Sequence, residues 1–414
     1  MDTDRTRPWI VAGGGLAAAR AATTLRKEGF DGRLIVISAE NHAPYERPGL
    51  SKDYLRGETP AQKLLAADTA FWTQPGTELL LDRRVVDLDA GGHRLGLDDG
   101  ARLEYGKLLL ATGSTAIRPD MPGASLDFVH LLRTIDDADR IRADAAGAQK
   151  IAVAGGGWIA AEVAASLRQL GHDVTLIVSG HDVLERHLGH EIGAIYSALH
   201  ERNGVRLIRG ARVVGIEDGA RRGLRLSTGE LVRADMVVFG FGATPNVDLA
   251  RAAGLAVANG VTSDQELRAS APDVFVAGDI ASPWHPRFGR HLRVEHWDNA
   301  KQQGRVAALN MLDRSTPYDR LPYFYSDQFD LGMETFGLPG DGDDAQLVLR
   351  RLDDAKFGAF WLSNGRVAAA VHGNLWDDSK TIGRLAREQV DVDPARLADP
   401  AVPLPELLPA EQPA

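Results

Sequence analysis

One pattern occurs twice in this chain, in residues 10–38 (IVAGGGLAAARAATTLRKEGFDGRLIVIS) and in residues 151–179 (IAVAGGGWIAAEVAASLRQLGHDVTLIVS). In each copy an apolar run leads into three consecutive glycines, small residues follow, and a further glycine precedes a second apolar run. A strand, a glycine turn, a helix and a second strand make up the βαβ unit of dinucleotide-binding folds. The sequence therefore predicts two such units in one chain.

Three further apolar runs end in glycine turns, at residues 108–113 (LLLATG), 237–246 (VVFGFGATPN) and 274–279 (VFVAGD). The first and third are predicted to complete the sheet of the first unit, and the middle one to mark the return of the chain from the second. From residue 318 the pattern changes to short aromatic and β-branched runs divided by Gly and Asp, which favours an α+β domain.

These patterns predict an α/β protein with two Rossmann-like domains and a third, smaller domain. The first nucleotide-binding domain is predicted to be discontinuous, and the last residues, which contain several prolines and few large apolar residues, are predicted to form an extended or disordered tail. The predicted bounds are 1–116 and 234–314 for the first nucleotide-binding domain, 117–233 for the second, 315–400 for the α+β domain and 401–414 for the tail.

Composition limits the chemistry. The chain has no cysteine, which excludes disulfides, thiolate zinc sites, protein-bound iron–sulfur clusters and a redox-active cysteine pair, so any electron transfer must use an organic cofactor. A net charge of −10 provides no general attraction for nucleic acids or anionic membranes. With no signal peptide and no long apolar run, a soluble cytoplasmic protein is expected.

The first glycine loop has the form GxGxxA. Gly13 is expected to allow the tight turn and Gly15 the close approach of a pyrophosphate, which would lie at the positive end of the following helix. An acid about twenty residues further on should accept hydrogen bonds from a ribose, and Glu40 is the candidate. A solvated loop acid is the alternative role for Glu40.

The second glycine loop, with Gly155 and Gly157, has Val178 where the ribose acid is expected. Without that carboxylate a 2′-phosphate is not repelled, and Ser179, His181 or Arg186 could donate hydrogen bonds to it. NADPH is therefore expected to be used within about a hundredfold of NADH. The alternative is that Ser179, His181 and Arg186 are ordinary loop residues, so the sequence does not decide between the two coenzymes.

A family resemblance rests on the glycine repeat together with ENHAPYERPGLSK (residues 40–52), LLLATGS, FGFGATPN, VFVAGDIA and VEHWDNAKQQG (residues 294–304). With these motifs the chain resembles the FAD-dependent ferredoxin reductases of oxygenase systems, of the putidaredoxin and rubredoxin reductase type, which are related to apoptosis-inducing factor. The resemblance runs from about residue 8 to about residue 400. It implies a glutathione-reductase-like plan, in which the first domain binds FAD and the second NADH or NADPH.

The resemblance also implies roles for individual residues. Lys52, paired with Glu162, and Trp297 are the implied catalytic residues beside the flavin. Asp279 is expected to bind the ribityl chain, and Arg47 the isoalloxazine side. The further implied cofactor contacts are Thr112, Gly113, Gly242 and Gly278. No metal site is expected, since His187 and His190 lack a third ligand and suit a solvated helix face better.

The expected reaction is hydride transfer from nicotinamide to flavin, followed by single-electron delivery to a ferredoxin-type iron–sulfur protein, of the 2Fe–2S kind, that serves an oxygenase. Two alternatives stay open. One is a redox-responsive nucleotide-binding protein like apoptosis-inducing factor, and the other is a flavin oxidase or quinone reductase. Whether the chain is a monomer or a homodimer is not decided by the sequence.

A basic run, PRFGRHLR (residues 286–293), is the candidate docking site for an acidic ferredoxin, because the net charge of the chain cannot attract one. It contains Arg287, Arg290 and Arg293 and directly precedes the segment of Trp297. A solvated hairpin without a partner is the equally weighted alternative.

Overall fold

The computed structural model describes residues 7–341 and 345–409. These residues divide into two compact units. The first comprises residues 7–48, 60–115 and 243–320, and the second comprises residues 49–59, 116–242, 321–341 and 345–409. Within the described ranges no helix is both long and apolar enough to cross a membrane.

The helices are α1 (Leu16–Lys27), α2 (Thr69–Trp72), α3 (Ile135–Ala145), α4 (Trp158–Gln169), α5 (Glu185–Arg202), α6 (Asp248–Ala252), α7 (Trp297–Met311), α8 (Ser379–Arg387) and α9 (Pro394–Ala398). Two helices follow the predicted glycine loops directly, namely α1 and α4.

The strands are mostly short. They are β1 (Trp9–Ala12), β2 (Leu34–Ile37), β3 (Thr77–Leu80), β4 (Val85–Asp89), β5 (Arg94–Leu97), β6 (Arg102–Glu104), β7 (Leu108–Leu110), β8 (Ser114–Ala116), β9 (Val129–Leu131), β10 (Lys150–Ala154), β11 (Asp173–Ile177), β12 (Arg206–Ile208), β13 (Val213–Glu217), β14 (Gly223–Leu226), β15 (Leu231–Arg233), β16 (Met236–Phe239), β17 (Ala243–Pro245), β18 (Val257–Ala258), β19 (Gly260–Ser263), β20 (Val274–Val276), β21 (Ala281–His285), β22 (Arg290–His291), β23 (Tyr323–Gln328), β24 (Leu331–Phe336), β25 (Gln346–Arg351), β26 (Phe357–Ser363) and β27 (Arg366–Gly373).

The first unit is built on a parallel sheet in the order β20-β7-β1-β2-β3. Strands β1, β2, β7 and β20 are buried throughout. Successive side chains of a strand point to opposite sides of a sheet, so both faces of these strands are covered. Trp9 and Val11 of β1 join the core formed with α1 and α7, whereas Ile10 and Ala12 join the core on the other face. The sheet also contains β7 and β20, as their sequence pattern predicts.

The second unit contains a parallel sheet in the order β12-β11-β10-β16-β9 and an antiparallel sheet in the order β23-β24-β27-β26-β25. The parallel sheet is the second predicted dinucleotide unit, with α4 following β10. The antiparallel sheet with α8 and α9 is the predicted C-terminal α+β region. Helix α4 contacts β23 inside this unit, so the C-terminal region and the second nucleotide-binding sheet share one compact body.

Two predicted boundaries differ from the structure. Strand β16 pairs in parallel with β10, so the second unit extends to Gly242 rather than ending at residue 233 as predicted. Residues 49–59 also belong to the second unit rather than to the first. Their side chains bond there, since the Tyr54 hydroxyl donates to Asp139 Oδ1 at 2.8 Å and the Ser51 carbonyl accepts from Ser166 Oγ at 2.6 Å.

The predicted extended tail is wrong for residues 401–409. Leu404–Leu407 form a 3-10 helix, and the side chains of Leu404 and Leu407 are buried. The buried guanidinium of Arg350 donates to the carbonyls of Asp399 at 2.6 Å and Val402 at 2.8 Å, which fixes the proline-rich backbone. The rest of the predicted tail, residues 410–414, lies outside the described residues.

Candidate functional site

The first glycine loop joins β1 to α1. Gly13 has a φ of +142°, and a Cβ on it would overlap the carbonyl oxygen of Ala111, the residue after β7. Only glycine therefore fits this position. Gly15 caps the start of α1, and a Cβ built on it meets nothing within 4 Å. The loop thus presents open space and the positive end of a helix, which suits a pyrophosphate.

Glu40 lies beyond the end of β2 and is held by two groups. Its Oε1 is 2.6 Å from Nη2 of Arg47, and its Oε2 accepts from the hydroxyl of Tyr45 at 2.5 Å. Arg47 also contacts the Tyr45 hydroxyl at 3.0 Å. The carboxylate is only 20% exposed, so Glu40 is a positioned acid and not a solvated loop residue. Tyr45 stands inside the PYERP motif, but the motif alone does not predict its bond to Glu40.

The ends of β7 and β20 bring together the other predicted residues of the first unit. Ser114 Oγ donates to Asp279 Oδ2 at 3.0 Å, and Gly278 N–H donates to Gln303 Oε1 at 2.9 Å. At the other turn, the side chain of Asn246 donates to the Thr112 carbonyl at 2.8 Å, and its N–H donates to the Gly113 carbonyl at 3.0 Å. Asn246 was missed, although the FGATPN motif contains it.

Helix α7 begins at Trp297. The side chain of His296 accepts the N–H of Asp298 and so caps the helix. Trp297 packs partly buried against the core that contains α1 and α7, and the Lys301 ammonium lies 4.5 Å from the centre of its ring.

The second glycine loop repeats the geometry of the first. Gly155 has a φ of +138°, and a Cβ on it would overlap the carbonyl oxygen of Gly240, the residue after β16. Gly157 caps α4. The rings of Trp158 and His187 lie 5.6 Å apart, and His187 Nε2 is 3.7 Å from the place of a Cβ on Gly157. His187 therefore lies beside the second glycine loop, whereas the sequence predicts only a solvated helix face for it.

Other predicted residues of the second unit lie on its surface. Ser179, Arg186 and Gly242 are exposed, and Gly242 has a φ of +88°.

A buried ion pair lies inside the second unit. Nζ of Lys52 is 2.8 Å from Oε2 of Glu162, and the two side chains are 12% and 5% exposed. Glu162 also accepts hydrogen bonds from the hydroxyls of Ser51 and Ser326, the latter at 2.7 Å. The Lys52 ammonium stands 5.5 Å from the centre of the Tyr325 ring. Such pairing compensates the high cost of burying two charges.

The hydrogen bonds continue away from the ion pair. Ser326 Oγ accepts from Gln328 Nε2 at 3.1 Å, and Gln328 Oε1 lies 2.9 Å from Nε2 of His200. Burial lowers the pKa of His200 to about 4, although its hydrogen bond with Gln328 acts in the opposite direction. Burial raises the pKa of the neighbouring Asp327, while the charge of Lys52 lowers it. No sequence signal relates Ser326 to Glu162, because 164 residues separate them.

Two family models match the chain, pyridine nucleotide-disulphide oxidoreductase over residues 7–304 and reductase C-terminal over residues 323–408. The chain belongs to the pyridine nucleotide-disulphide oxidoreductase family. A curated relative is the ferredoxin--NAD(+) reductase component of the anthranilate 1,2-dioxygenase system from Burkholderia cepacia, 38% identical over 97% of this chain and 99% of the relative.

Solved structures agree with this membership. A ferredoxin reductase from Rhodopseudomonas palustris is 34% identical and superposes with a TM-score of 0.91 over 97% of this chain and 99% of that one. The covalent putidaredoxin reductase-putidaredoxin complex gives 30% identity and a TM-score of 0.91, over 97% and 98% of the two chains. The predicted family, fold class and oxidoreductase class are confirmed, as are the cofactors FAD and NAD(H).

We predict that Asp279→Ala weakens FAD retention by about 10- to 100-fold, because loss of a charged hydrogen-bond acceptor costs roughly 1.5 to 3 kcal/mol. Equilibrium titration of the apoprotein with FAD measures the change. Asp248→Ala is the matched control, since that carboxylate belongs to the same unit and is 96% exposed. Equal FAD affinity in wild type and Asp279→Ala would remove Asp279 from the site.

Proposed function

We propose that this chain is the reductase component of an oxygenase system, which oxidises NADH or NADPH and delivers electrons singly to a ferredoxin of the 2Fe–2S kind. The sequence prediction of an FAD-containing ferredoxin reductase is confirmed by the family and by the activities of its relatives.

The observation that carries the proposal is the combination of this family's fold with a chain that contains no cysteine. Reduction of a disulfide substrate through an enzyme cysteine pair is therefore impossible. Electrons must leave from the flavin directly to the acceptor. A one-electron protein carrier fits this route and agrees with the relatives.

When bound, the two cofactors supply hydride transfer from nicotinamide to flavin and one-electron release from the flavin. The residues of the first unit suit FAD. Gly15 and the start of α1 would receive the pyrophosphate, Glu40 the adenosine ribose and Asp279 the ribityl hydroxyls. Gly155, Gly157 and the start of α4 would receive the pyrophosphate of the nicotinamide coenzyme in the same manner.

Lys52 is proposed to stabilise the negative charge that a flavin gains on reduction. An ammonium group fixed in a dry environment is more effective for this purpose than one that must reorganise. Glu162 holds the ammonium at 2.8 Å and is itself fixed by Ser51 and Ser326, so the charge is preorganised. Trp297 is proposed to contact the flavin from the start of α7, whose positive end favours the same negative charge.

The function is tested by steady-state reduction of a panel of ferredoxins, with oxygen and a quinone as competing acceptors. A 2Fe–2S ferredoxin should be reduced faster than either small acceptor. Faster turnover with oxygen or quinone would identify an oxidase or quinone reductase. Slow turnover with every acceptor would favour a redox-responsive binding protein.

We predict that Lys52→Met slows anaerobic flavin reduction by NADH about 10- to 100-fold, because the developing charge loses its counter-ion. The flavin midpoint potential should become more negative by roughly 30 mV or more. Stopped-flow absorbance and a redox titration measure the two effects. Arg56→Met is the control, since Arg56 belongs to the same segment but pairs with the exposed Glu58. An unchanged potential in Lys52→Met contradicts the proposed role.

The basic run proposed for ferredoxin docking is only partly exposed. The guanidinium of Arg293 is 13% exposed, donates to Asn259 Oδ1 at 2.9 Å and contacts Glu295, so its charge is used inside the first unit. Arg290 lies on the exposed strand β22, and Arg287 is half-buried. The exposed Trp284 lies opposite His291 on the neighbouring strand. We therefore propose that the ferredoxin docks at the exposed surface that contains Arg290 and Trp284, and that Arg293 does not contact it.

We predict that Arg290→Glu lowers kcat/KM for ferredoxin about tenfold at low salt, mainly through slower association, and that the difference shrinks as ionic strength rises. Flavin reduction by NADH should not change. Arg102→Glu provides a matched charge reversal on the exposed strand β6 of the same unit. If Arg290→Glu and Arg102→Glu behave alike across a salt series, Arg290 is not at the interface.

A further inference from the structure

The two repeats differ in which residue carries an acid near the glycine loop. In the second repeat Val178 stands where the sequence predicts a carboxylate, and its side chain is buried below Gly156. The hydrogen-bond donors that the sequence predicts near Val178 are neutral or basic side chains. The local backbone shows which residue of the second repeat corresponds to Glu40.

Backbone hydrogen bonds establish that correspondence. The N–H groups of Ser38 and Val178 each donate to the last carbonyl of the next parallel strand, at 2.8 and 2.9 Å. The Glu40 carbonyl accepts the N–H of the residue two positions after the end of β3, at 3.2 Å. The Gly180 carbonyl accepts the N–H of the residue two positions after the end of β12, at 2.9 Å. Val178 therefore corresponds to Ser38, and Gly180 corresponds to the ribose acid Glu40.

The carboxylate of Glu185 fills the place that a side chain at position 180 would take. Its Oε2 lies 2.7 Å from the position of a Cβ on Gly180 and accepts the N–H groups of His181 at 2.8 Å and Asp182 at 3.2 Å. Its Oε1 has no hydrogen-bond partner within residues 7–341 and 345–409. One oxygen thus fixes the carboxylate, and the other can receive a ligand hydroxyl.

The chain around Glu185 is anchored to the glycine loop. Leu184, in the left-handed conformation with φ of 61°, donates its N–H to the carbonyl of Gly156 at 2.8 Å. Gly189 interrupts the helical backbone, so residues 185–188 form a separate first turn. Glu185 is therefore held one residue from the loop that is proposed to receive the coenzyme.

We propose that Glu185 selects NADH over NADPH. Its Oε1 accepts a hydrogen bond from the 2′-hydroxyl of the adenosine ribose, and its negative charge repels a 2′-phosphate at the same position. This inference rests on the proposed function, in which the second loop binds the nicotinamide coenzyme. The sequence alone, with Val178 at the expected position of the ribose acid, does not decide between the two coenzymes.

Binding is tested without turnover, by isothermal titration of the oxidised FAD-loaded protein with ADP-ribose and with 2′-phospho-ADP-ribose. Wild type should bind ADP-ribose at least about tenfold more tightly, and Glu185→Gln should reduce that ratio at least about tenfold. Glutamine keeps an oxygen for the N–H groups of His181 and Asp182. Glu185→Ala, measured in parallel, removes the carboxylate without adding an amide donor for the phosphate.

Glu191→Gln is the control, because Glu191 is an exposed carboxylate on the same helix. Thermal unfolding of each variant shows whether the loop is intact. The ratio of kcat/KM for NADH and NADPH in flavin reduction should change in parallel with the binding ratio.

The outcomes separate this inference from the proposed function. If NADH reduces the flavin but wild type binds both ADP-riboses alike, or if Glu185→Gln and Glu185→Ala leave the ratio unchanged, the role of Glu185 is overturned alone. If neither ADP-ribose binds and neither coenzyme reduces the flavin, the proposed function fails and this inference fails with it.

Discussion

The crossing of each glycine loop over the end of a neighbouring strand is the contact on which both nucleotide sites depend. A side chain at Gly13 or at Gly155 would overlap a carbonyl oxygen of the adjacent strand end, and both residues have a positive φ that favours glycine. Because the loop lies this close to the sheet, the helix after it begins directly above the strand ends. Its unpaired N–H groups then face the crevice where the order of the strands reverses, which is where such sheets bind ligands.

The buried carboxylate of Glu162 imposes a second constraint, on the second unit. A carboxylate that is 5% exposed is costly unless it is paired, and removal of one partner of such a pair typically costs about 3 to 5 kcal/mol. Its partners Lys52 and Ser51 come from residues 49–59, whereas Ser326 comes from β23. The same interactions therefore tie distant segments to α4 and fix the ammonium group in one position. Stability and the proposed chemistry thus depend on one cluster.

Much of this could be predicted from the sequence, because the signals were local. The βαβ repeats, the glycine positions and the acid Glu40 all follow from residue spacing along one strand–helix–strand unit. The Lys52–Glu162 contact came from family resemblance rather than spacing, since the two residues are far apart in the chain. The packed segment 401–409 was predicted wrongly because composition does not reveal that Arg350 would bind its carbonyls. The roles assigned to single residues stay predictions until they are measured.

The two repeats also show why a spacing rule can misjudge coenzyme choice. The rule counts residues from the glycine loop to an acid on the following strand, and it assumes that the acid is carried by that strand. In the first repeat Glu40 follows the end of the strand by three residues. In the second repeat Gly180 has no side chain to fill the corresponding place, and the carboxylate of Glu185, from the first turn of α5, occupies it. A ligand is attracted or repelled by the position of a charge, whichever segment of the chain supplies that charge. The absence of an acid at Val178 therefore does not make the site neutral, because Glu185 supplies a carboxylate there.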